Sequence, residues 1–563
     1  LTIACILVLV FLQSLSNLYL PNLMANIVDH GIVNKDIGYI VQVGGVMLGI
    51  AALGLACSLI AGFLSSRTAV QFGKIARREL FTRVESFSLH EFDRFGTATL
   101  ITRTTNDVTQ VQVVTVLILG MMVSAPMLGI GGIIMAFSMD RPLTLVLAVA
   151  VPILILAIVL IARRSVPLFR LMQIKLDKLN LVLREGLTGI RVVRAFNRVD
   201  RERERFAEAN DDLAANAIRA NQIIAALMPV LILVMNLTSV AIIWFGAIRI
   251  NNGDMQVGSL IAFTQYAMQI MFALLMLSMM FVMVPRAAAA AARINEVLDT
   301  VPDISDPEES LRPGEERGHI EFRNVTFRYP GAEQAAVSDI SFAVGPGEVT
   351  AIVGGTGSGK STLVNLLLRF YDIDSGSIMV DGVDIRRMPQ ETLRAKMGFV
   401  PQKTVLFTGT IADNIRYGRP GADQDDLLRA AGTAQAREFI SSMDGGLESW
   451  IAQGGINVSG GQKQRLAIAR ALVRRPEIYV FDDSFSALDF RTDARLRAAL
   501  RQETAEATVI IVAQRVATIM DADRIIVLDE GRIAGMGTHR ELMRTSAIYR
   551  EIVSSQLSEE ESA

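Results

Sequence analysis

The 563-residue chain is 51% apolar with a mean hydropathy of +0.39, too long for one ordinary domain and too greasy for a soluble protein of average balance. Its 55 basic residues are offset by 57 acidic ones, which argues against a nucleic-acid-binding surface. The only two cysteines, Cys5 and Cys57, lie inside apolar stretches, where a disulfide framework is not expected.

The chain opens at Leu1 inside an apolar run. This reads as a missing cytoplasmic lead-in, since no basic n-region or small-residue cleavage site marks a signal peptide. A first stretch at 2–28 is interrupted by Pro21, and five more follow at 37–66, 112–139, 142–162, 222–248 and 256–285. Each reaches the roughly 20 residues that a helix needs to cross a hydrocarbon core. None of the six holds Asp, Glu, Lys, Arg or His. Ion or proton pathways would need such groups within the membrane, so the driving energy must enter elsewhere.

The connections at 29–36, 140–141 and 249–255 are short, with one Lys or Arg each, whereas 67–111 carries seven and 163–220 thirteen. That asymmetry places the two long connections in the cytoplasm. Each reads as a pair of helices continuing from the spans, and about 20 residues per leg reach about 30 Å. The run "RVDRERERF" in the second arm is read as a solvated helix face rather than a partner contact. The membrane domain is expected over 1–290, followed by a linker at 291–318 rich in Pro, Glu, Asp and Gly. From His319 to residue 556, short β-branched runs alternate with amphipathic helices, the pattern of an α/β domain with a largely parallel sheet. The tail 557–563 is acidic and expected to be disordered.

Within that domain "VTAIVGGTGSGKSTLVNLLL" gives a strand, a glycine-rich turn and a helix. Gly354, Gly355, Thr356, Gly357, Ser358, Gly359, Lys360 and Ser361 fit the phosphate-binding pattern G-x-x-x-x-G-K-[ST]. Glycines let backbone N–H groups close around phosphate oxygens, Lys360 reaches the β- and γ-phosphates, and the Ser361 hydroxyl ligates Mg²⁺. A second apolar run, "EIYVFDDSFSALD", delivers Asp482 and Asp483 to the end of a buried strand. Asp482 suits the carboxylate that holds the Mg²⁺ water shell.

The stretch "NVSGGQKQRLAIARAL", with the phosphate loop and "IYVFDDSFSALD", resembles the nucleotide-binding domain of ATP-binding cassette (ABC) transporters. Six spans with two long arms before one such domain resemble an exporter-type half-transporter along the whole chain. The fold implied is an all-α six-helix membrane domain with long cytoplasmic extensions, fused to an α/β P-loop NTPase domain of ABC type. The resemblance implies ATP and Mg²⁺ as cofactors and a multi-pass protein of a bacterial plasma membrane with its nucleotide-binding domain in the cytoplasm. Tyr329 would stack on adenine, Thr362 would follow the loop at the phosphates, and Gln402 would sense Mg²⁺ and the arms. Ser459, Gly460, Gly461 and Gln462 would bind nucleotide held by a partner subunit, and Asp489 would cross the dimer interface. The arms would end in short helices near 99–106 and 196–201.

In the family pattern a glutamate follows the Mg²⁺ aspartate, and a histidine on the next strand contacts the γ-phosphate. Here those positions are Asp483 and Gln514. The shorter side chain withdraws its carboxylate by about 1 Å from the attacking water, a misplacement that can cost about 100-fold in rate. Gln514 can donate a hydrogen bond but cannot become cationic. Gln453 also stands where many relatives carry an acid, and Val458 replaces a leucine before the intact "SGGQ". The chain therefore resembles the degenerate-site subunit of heterodimeric ABC exporters, whose partner would carry the complete glutamate and histidine.

The last span carries six methionines between 268 and 283, its Gln265 and Gln269, four apart on one face, favour a cavity or a partner helix there, and Gln265, Tyr266, Gln269 and Met276 are candidates for a substrate cavity. Without charged lining, a hydrophobic or amphipathic drug, lipid or lipopeptide is expected. An exporter-fold importer of the siderophore-uptake kind and an ATP-gated channel or regulator are the alternatives. Arginines number 47 of the 55 basic residues, a composition associated with GC-rich bacterial genomes. Cysteines introduced at 31–35 or 251–253 are expected to react from outside intact cells, and those at 80–105 or 185–205 are not; outside labelling of the arms would overturn this orientation.

Overall fold

The computed structural model describes residues 1–311, 314 and 317–556, so the tail expected to be disordered at 557–563 lies outside the described residues. Two compact units emerge: Leu1–Glu85 with Ala98–Thr300, and Ser86–Thr97 with Val301–Ala563.

The first unit is helical. Its spans are α1 (Thr2–Asn26) and α2 (Ile37–Glu85). After the turn helices α3 (Leu89–Phe95) and α4 (Thr97–Thr102), α5 (Val108–Met139) returns. Then come α6 (Thr144–Thr188), the short α7 (Ile190–Ala195), α8 (Val199–Ala225), α9 (Leu227–Asn251) and α10 (Val257–Asp299). Among the described residues six helical stretches are long and apolar enough to cross a membrane. The 49 residues of α2 extend about 70 Å, so span and arm form one continuous rod.

Four expectations need correction. Pro21 does not interrupt the first span; α1 runs through it. Proline removes the N–H that would bond the carbonyl four residues back, and Gln269 of α10 supplies a donor to that carbonyl, Asn17 O, at 3.2 Å. One residue on, the Tyr266 hydroxyl donates to Leu18 O at 2.8 Å, and Tyr266 is fully buried. Tyr266 therefore fastens α10 to α1 and does not line an open cavity. The linker expected from 291 begins later, because the alanine-rich run keeps α10 helical to Asp299. The arm tips fall at α3 and α7, each a few residues before the expected positions 99–106 and 196–201. At the first tip Ser88 and Glu91 form a capping box that starts α3.

The opposite ends of the spans are closed by polar contacts. Asp140, 6% exposed, accepts Arg249 Nε at 2.7 Å and the Leu143 N–H at 2.8 Å. The arm run Asp200–Arg205 is a solvated face whose ion pairs stay within the arm, to Glu202 and Glu185.

The second unit holds two principal sheets. Strands β1 (Ile320–Phe327), β2 (Val337–Val344), β4 (Ser375–Val380) and β5 (Val383–Asp384) form an antiparallel sheet in the order β2-β1-β4-β5. Strands β3 (Val349–Gly354), β6 (Met397–Val400), β9 (Ile478–Asp482), β10 (Thr508–Val512), β11 (Arg524–Asp529) and β12 (Arg532–Gly537) form a six-stranded sheet in the order β12-β11-β3-β10-β9-β6. Only β12 runs antiparallel there. A two-stranded ladder, β7 (Gly409–Thr410) and β8 (Trp450–Ile451), completes the set. The strands β9 and β10 are buried at every position, as near-continuous apolar runs require of strands covered on both faces. The first arm tip packs in this unit: Glu91 accepts the Asp303 N–H at 3.0 Å.

The contact between Gln269 and the carbonyl freed by Pro21 makes a conditional prediction. Gln269→Leu should destabilise the chain by about 0.5–2 kcal/mol, the scale of an interhelical hydrogen bond in lipid. In a Pro21→Ala background, where the helix can bond its own carbonyl, the same change should cost clearly less. Equal losses in both backgrounds, measured by unfolding in mixed micelles, would show that Gln269 does not serve Asn17.

Candidate nucleotide-binding site

Parallel strands deliver their carboxyl ends to one edge, and three neighbours do so here. Val512 of β10 is paired with Ile352 of β3 on one side and with Asp482 of β9 on the other. The residues leaving these strands are the phosphate loop, Gln514 and the Asp482–Asp483 pair. Their convergence follows from strand order, and the crevice beyond such ends is where open α/β sheets bind ligands.

The phosphate loop leads from β3 into α11 (Lys360–Leu367). Gly359 is left-handed at φ +97°, and a Cβ there would lie 2.8 Å from the Ala336 carbonyl oxygen. Gly354 is equally confined: a Cβ would meet Leu528 O at 2.2 Å. Added Cβ atoms at Gly355 and Gly357 would meet nothing within 4 Å, so the loop is tight underneath and open above. That is the shape a phosphate cradle needs. Lys360 Nζ folds over the loop, donating to Gly354 O at 2.9 Å and Gly355 O at 2.6 Å. Burial pushes its ammonium pKa down, and the charges of Asp483 and Asp482 pull it back up.

The two adjacent aspartates occupy different environments. Asp482 is 6% exposed and accepts the Ser361 hydroxyl at 3.2 Å. Burial pushes its carboxyl pKa up, partly opposed by that hydrogen bond. Asp483 stands at φ +45°, a left-handed conformation that Asp tolerates better than most residues, and the chain turns sharply there. Its N–H donates to Val512 O at 2.9 Å, and its Oδ2 accepts Gln402 Nε2 at 3.4 Å. Asp482, Ser361 and Gln402 thus offer oxygen donors of the type that Mg²⁺ takes with a retained water shell. Gln514 is exposed at the end of the segment that follows β10.

Tyr329 lies beside the loop but is packed edge-on against Phe327 and Tyr371, with ring centroids 4.9 and 5.3 Å away. Its hydroxyl is 3.1 Å from Thr362 Oγ1. Ser459 caps the helix Gly460–Leu472, with Gln462 completing a capping box. Among the described residues no hydrogen bond joins 459–462 to the phosphate loop of the same chain. Ser459 and Gly460 are exposed, leaving a helix N-terminus with its partial positive charge toward solvent. Asp489, exposed, caps Phe490–Glu503 by accepting the Thr492 N–H at 2.9 Å. In the membrane unit Gln265 is exposed and Met276 half-buried.

Two supporting residues were not anticipated from sequence. Ser484 is fully buried, and its hydroxyl donates to Val400 O at 3.0 Å, tying the turn after β9 to the end of β6. Arg515 donates to Ser486 O at 2.9 Å and Leu488 O at 3.5 Å, joining the Gln514 segment to the one that leads to Asp489. Neither has a motif signature, since both act on backbone carbonyls.

Comparison with known proteins identifies the family. Residues 3–274 match the family model of the ABC transporter transmembrane region, and residues 337–486 match that of the ABC transporter domain. An uncharacterised ABC transporter ATP-binding protein of Mycobacterium tuberculosis is 46% identical over 559 residues, 98% of this chain and 96% of that protein. A fatty acid ABC transporter ATP-binding/permease protein of Mycobacterium bovis is 35% identical over 481 residues, 84% of this chain and 75% of that protein. Among solved structures, a bacterial Atm1-family ABC exporter with ATP bound superposes with a TM-score of 0.82 at 28% identity, covering 99% of this chain and 98% of that one. With both family regions in order and such identity along nearly its whole length, the chain belongs to the ABC transporter family, as an exporter-fold half-transporter whose six-helix transmembrane region is fused to one ATP-binding domain.

Proposed function

We propose that this chain is the slowly hydrolysing half of a heterodimeric exporter, moving hydrophobic or amphipathic compounds out across a bacterial plasma membrane. The observation that carries the reading is the pair Asp483 and Gln514 at the two positions that face the γ-phosphate in the family pattern. Binding chemistry is retained. The loop N–H groups and Lys360 would take the phosphates, while Ser361, Asp482 and Gln402 would hold Mg²⁺ and its water. Mg²⁺, when bound, neutralises charge on the β- and γ-phosphate oxygens. Turnover chemistry is weakened, because a positioned general base is worth about 10²- to 10⁴-fold and Asp483 is one methylene short.

The other half of the machinery is offered outward. Ser459, Gly460, Gly461 and Gln462 present donors that their own phosphate loop does not use, suited to nucleotide on a second subunit that carries the full glutamate and histidine. The second arm tip supports a partner too. Leu187, Val192 and Phe196 are 71%, 60% and 74% exposed on a cytoplasmic arm, an apolar surface that a lone chain leaves uncovered. For the substrate, the spans carry no charge, and Gln265, Met268 and Met279 are exposed on α10. The fatty acid named for one relative fits an amphipathic cargo.

Purified alone, the chain should hydrolyse ATP slowly, since a homodimer would have two sites built on Asp483 and Gln514. Asp483→Glu with Gln514→His should raise hydrolysis in the complex, measured as steady-state phosphate release; a flat rate would mean that the defect lies elsewhere.

The two halves of the ATP-binding domain should also respond unequally. Lys360→Ala weakens phosphate binding at a site that contributes occupancy but little turnover. Ser459→Ala with Gly460→Asp places a carboxylate against the γ-phosphate on the partner, where transition-state charge must be stabilised. In the reconstituted heterodimer the signature change should reduce turnover at least about 10-fold more, about 1.4 kcal/mol of barrier. A larger loss from Lys360→Ala would make this chain's own site the working one, with Asp483 as its catalytic carboxylate.

A further inference from the structure

The last described turn of the chain reaches back to the edge of the nucleotide site. The helix Ala547–Ser554 is anchored in the core by Tyr549 and Val553, 0% and 1% exposed. Gln556 follows within one turn, its backbone N–H donating to Val553 O at 3.0 Å. Its side-chain amide spans the loop after β10: Nε2 donates to Gln514 O at 2.8 Å, and Oε1 accepts the Val516 N–H at 2.9 Å. Only one orientation of the amide serves both groups.

The contact matters because of what it holds. Val516 is fully buried, and a buried N–H deprived of its acceptor is costly. From the other side Arg515 grips the Ser486 and Leu488 carbonyls. The backbone of 514–516 is therefore clamped by two side chains, and the exposed side chain of Gln514 projects from that clamped segment.

We infer that Gln556 is a positioning residue of the nucleotide site: it fixes the backbone from which Gln514 meets the γ-phosphate, so the end of the chain sets how well this site prefers ATP to ADP. This rests on the reading of Gln514 as a γ-phosphate contact proposed above. The geometry separates Gln556 from a packing role. Core burial of the terminal helix is supplied by Tyr549 and Val553, whereas the exposed Gln556 contributes two directional bonds to one loop.

The test uses the purified full-length chain and its Gln556→Ala, Gln556→Glu and Gln514→Ala variants. Hydrogen exchange at the Val516 amide and equilibrium binding of Mg-ATP and Mg-ADP are measured for each. In Gln556→Ala, Val516 should exchange faster, and ATP affinity should fall by about 5-fold, the scale of one net hydrogen bond, with ADP affinity unchanged. Gln556→Glu keeps the acceptor for Val516 but sets a carboxylate against the Gln514 carbonyl, so protection should persist while the preference for ATP still falls. Unchanged exchange at Val516 in Gln556→Ala would remove the clamp. Faster exchange with an unchanged ATP preference, while Gln514→Ala lowers it, would show a clamp that does not position the site and so overturn the inference. If Gln514→Ala leaves the preference untouched, the γ-phosphate reading falls, and the inference with it.

Discussion

Asp482 is a carboxylate 6% exposed at the end of a strand whose five residues are all buried, and Ser361 is the hydroxyl that pairs with it. A buried charge persists only where it is paired or coordinated. That contact fastens the first turn of α11 to the end of β9 across the intervening β10, holding the phosphate loop in register with the second carboxylate. The same requirement makes the site receptive: a carboxylate whose pKa burial pushes up gains when a divalent cation replaces part of its lost hydration. Binding competence is therefore built into the fold's own polar accounting.

Asp483, one residue later, stands in different surroundings. The left-handed turn at Asp483 swings its side chain toward Gln402. Aspartate suits this conformation better than glutamate does, so the residue at 483 fits the backbone it occupies. Adjacent aspartates thus divide into a buried carboxylate paired with Ser361 and a half-buried one facing Gln402. The difference arises from backbone conformation and burial, since the side chains are identical.

Much of this was legible in sequence, and the failures have physical causes. The charge-free spans and the glycine loop announce themselves because each follows from local composition. Helical spacing puts Gln265 and Gln269 on one face suited to a cavity or a partner helix, and Gln269 meets the neighbouring helix α1; spacing cannot reveal that Pro21 there leaves a carbonyl in need of a donor. The boundary expected at 290 falls inside α10, because the alanine-rich run that precedes Asp299 is a strong helix former. The first arm tip lies before the expected 99–106, where "SLHE" at 88–91 carries a capping box that no apolar period follows. Ser484, Arg515 and Gln556 were unreadable for another reason. All three act on backbone carbonyls or N–H groups, whose positions exist only in the folded chain.

The polar contacts of the first arm also bear on how ATP could do mechanical work. Its tip belongs with the ATP-binding domain. Glu91 bonds the Asp303 N–H, and burial, with the Asp93 charge beside it, pushes the Tyr371 phenol up to about 12. Its return leg belongs with the membrane helices. Asp107, 5% exposed, takes Arg293 in a two-point contact at 2.8 and 2.6 Å, and Arg103 donates to Glu296 Oε2 at 2.8 Å and to Arg293 O at 2.9 Å. Bidentate guanidinium–carboxylate contacts resist shear as well as separation, so the last turns of α10 are fastened to residues 103–107, which lead into α5. The chain passes between its two compact units at three points, 85–86, 97–98 and 300–301. Two of them flank the arm tip and the third follows α10, the helix that the arm grips. The Asp107–Arg293 pair therefore ties the leg that leaves the arm tip to the helix that precedes the third crossing, so that a load on either is shared by both.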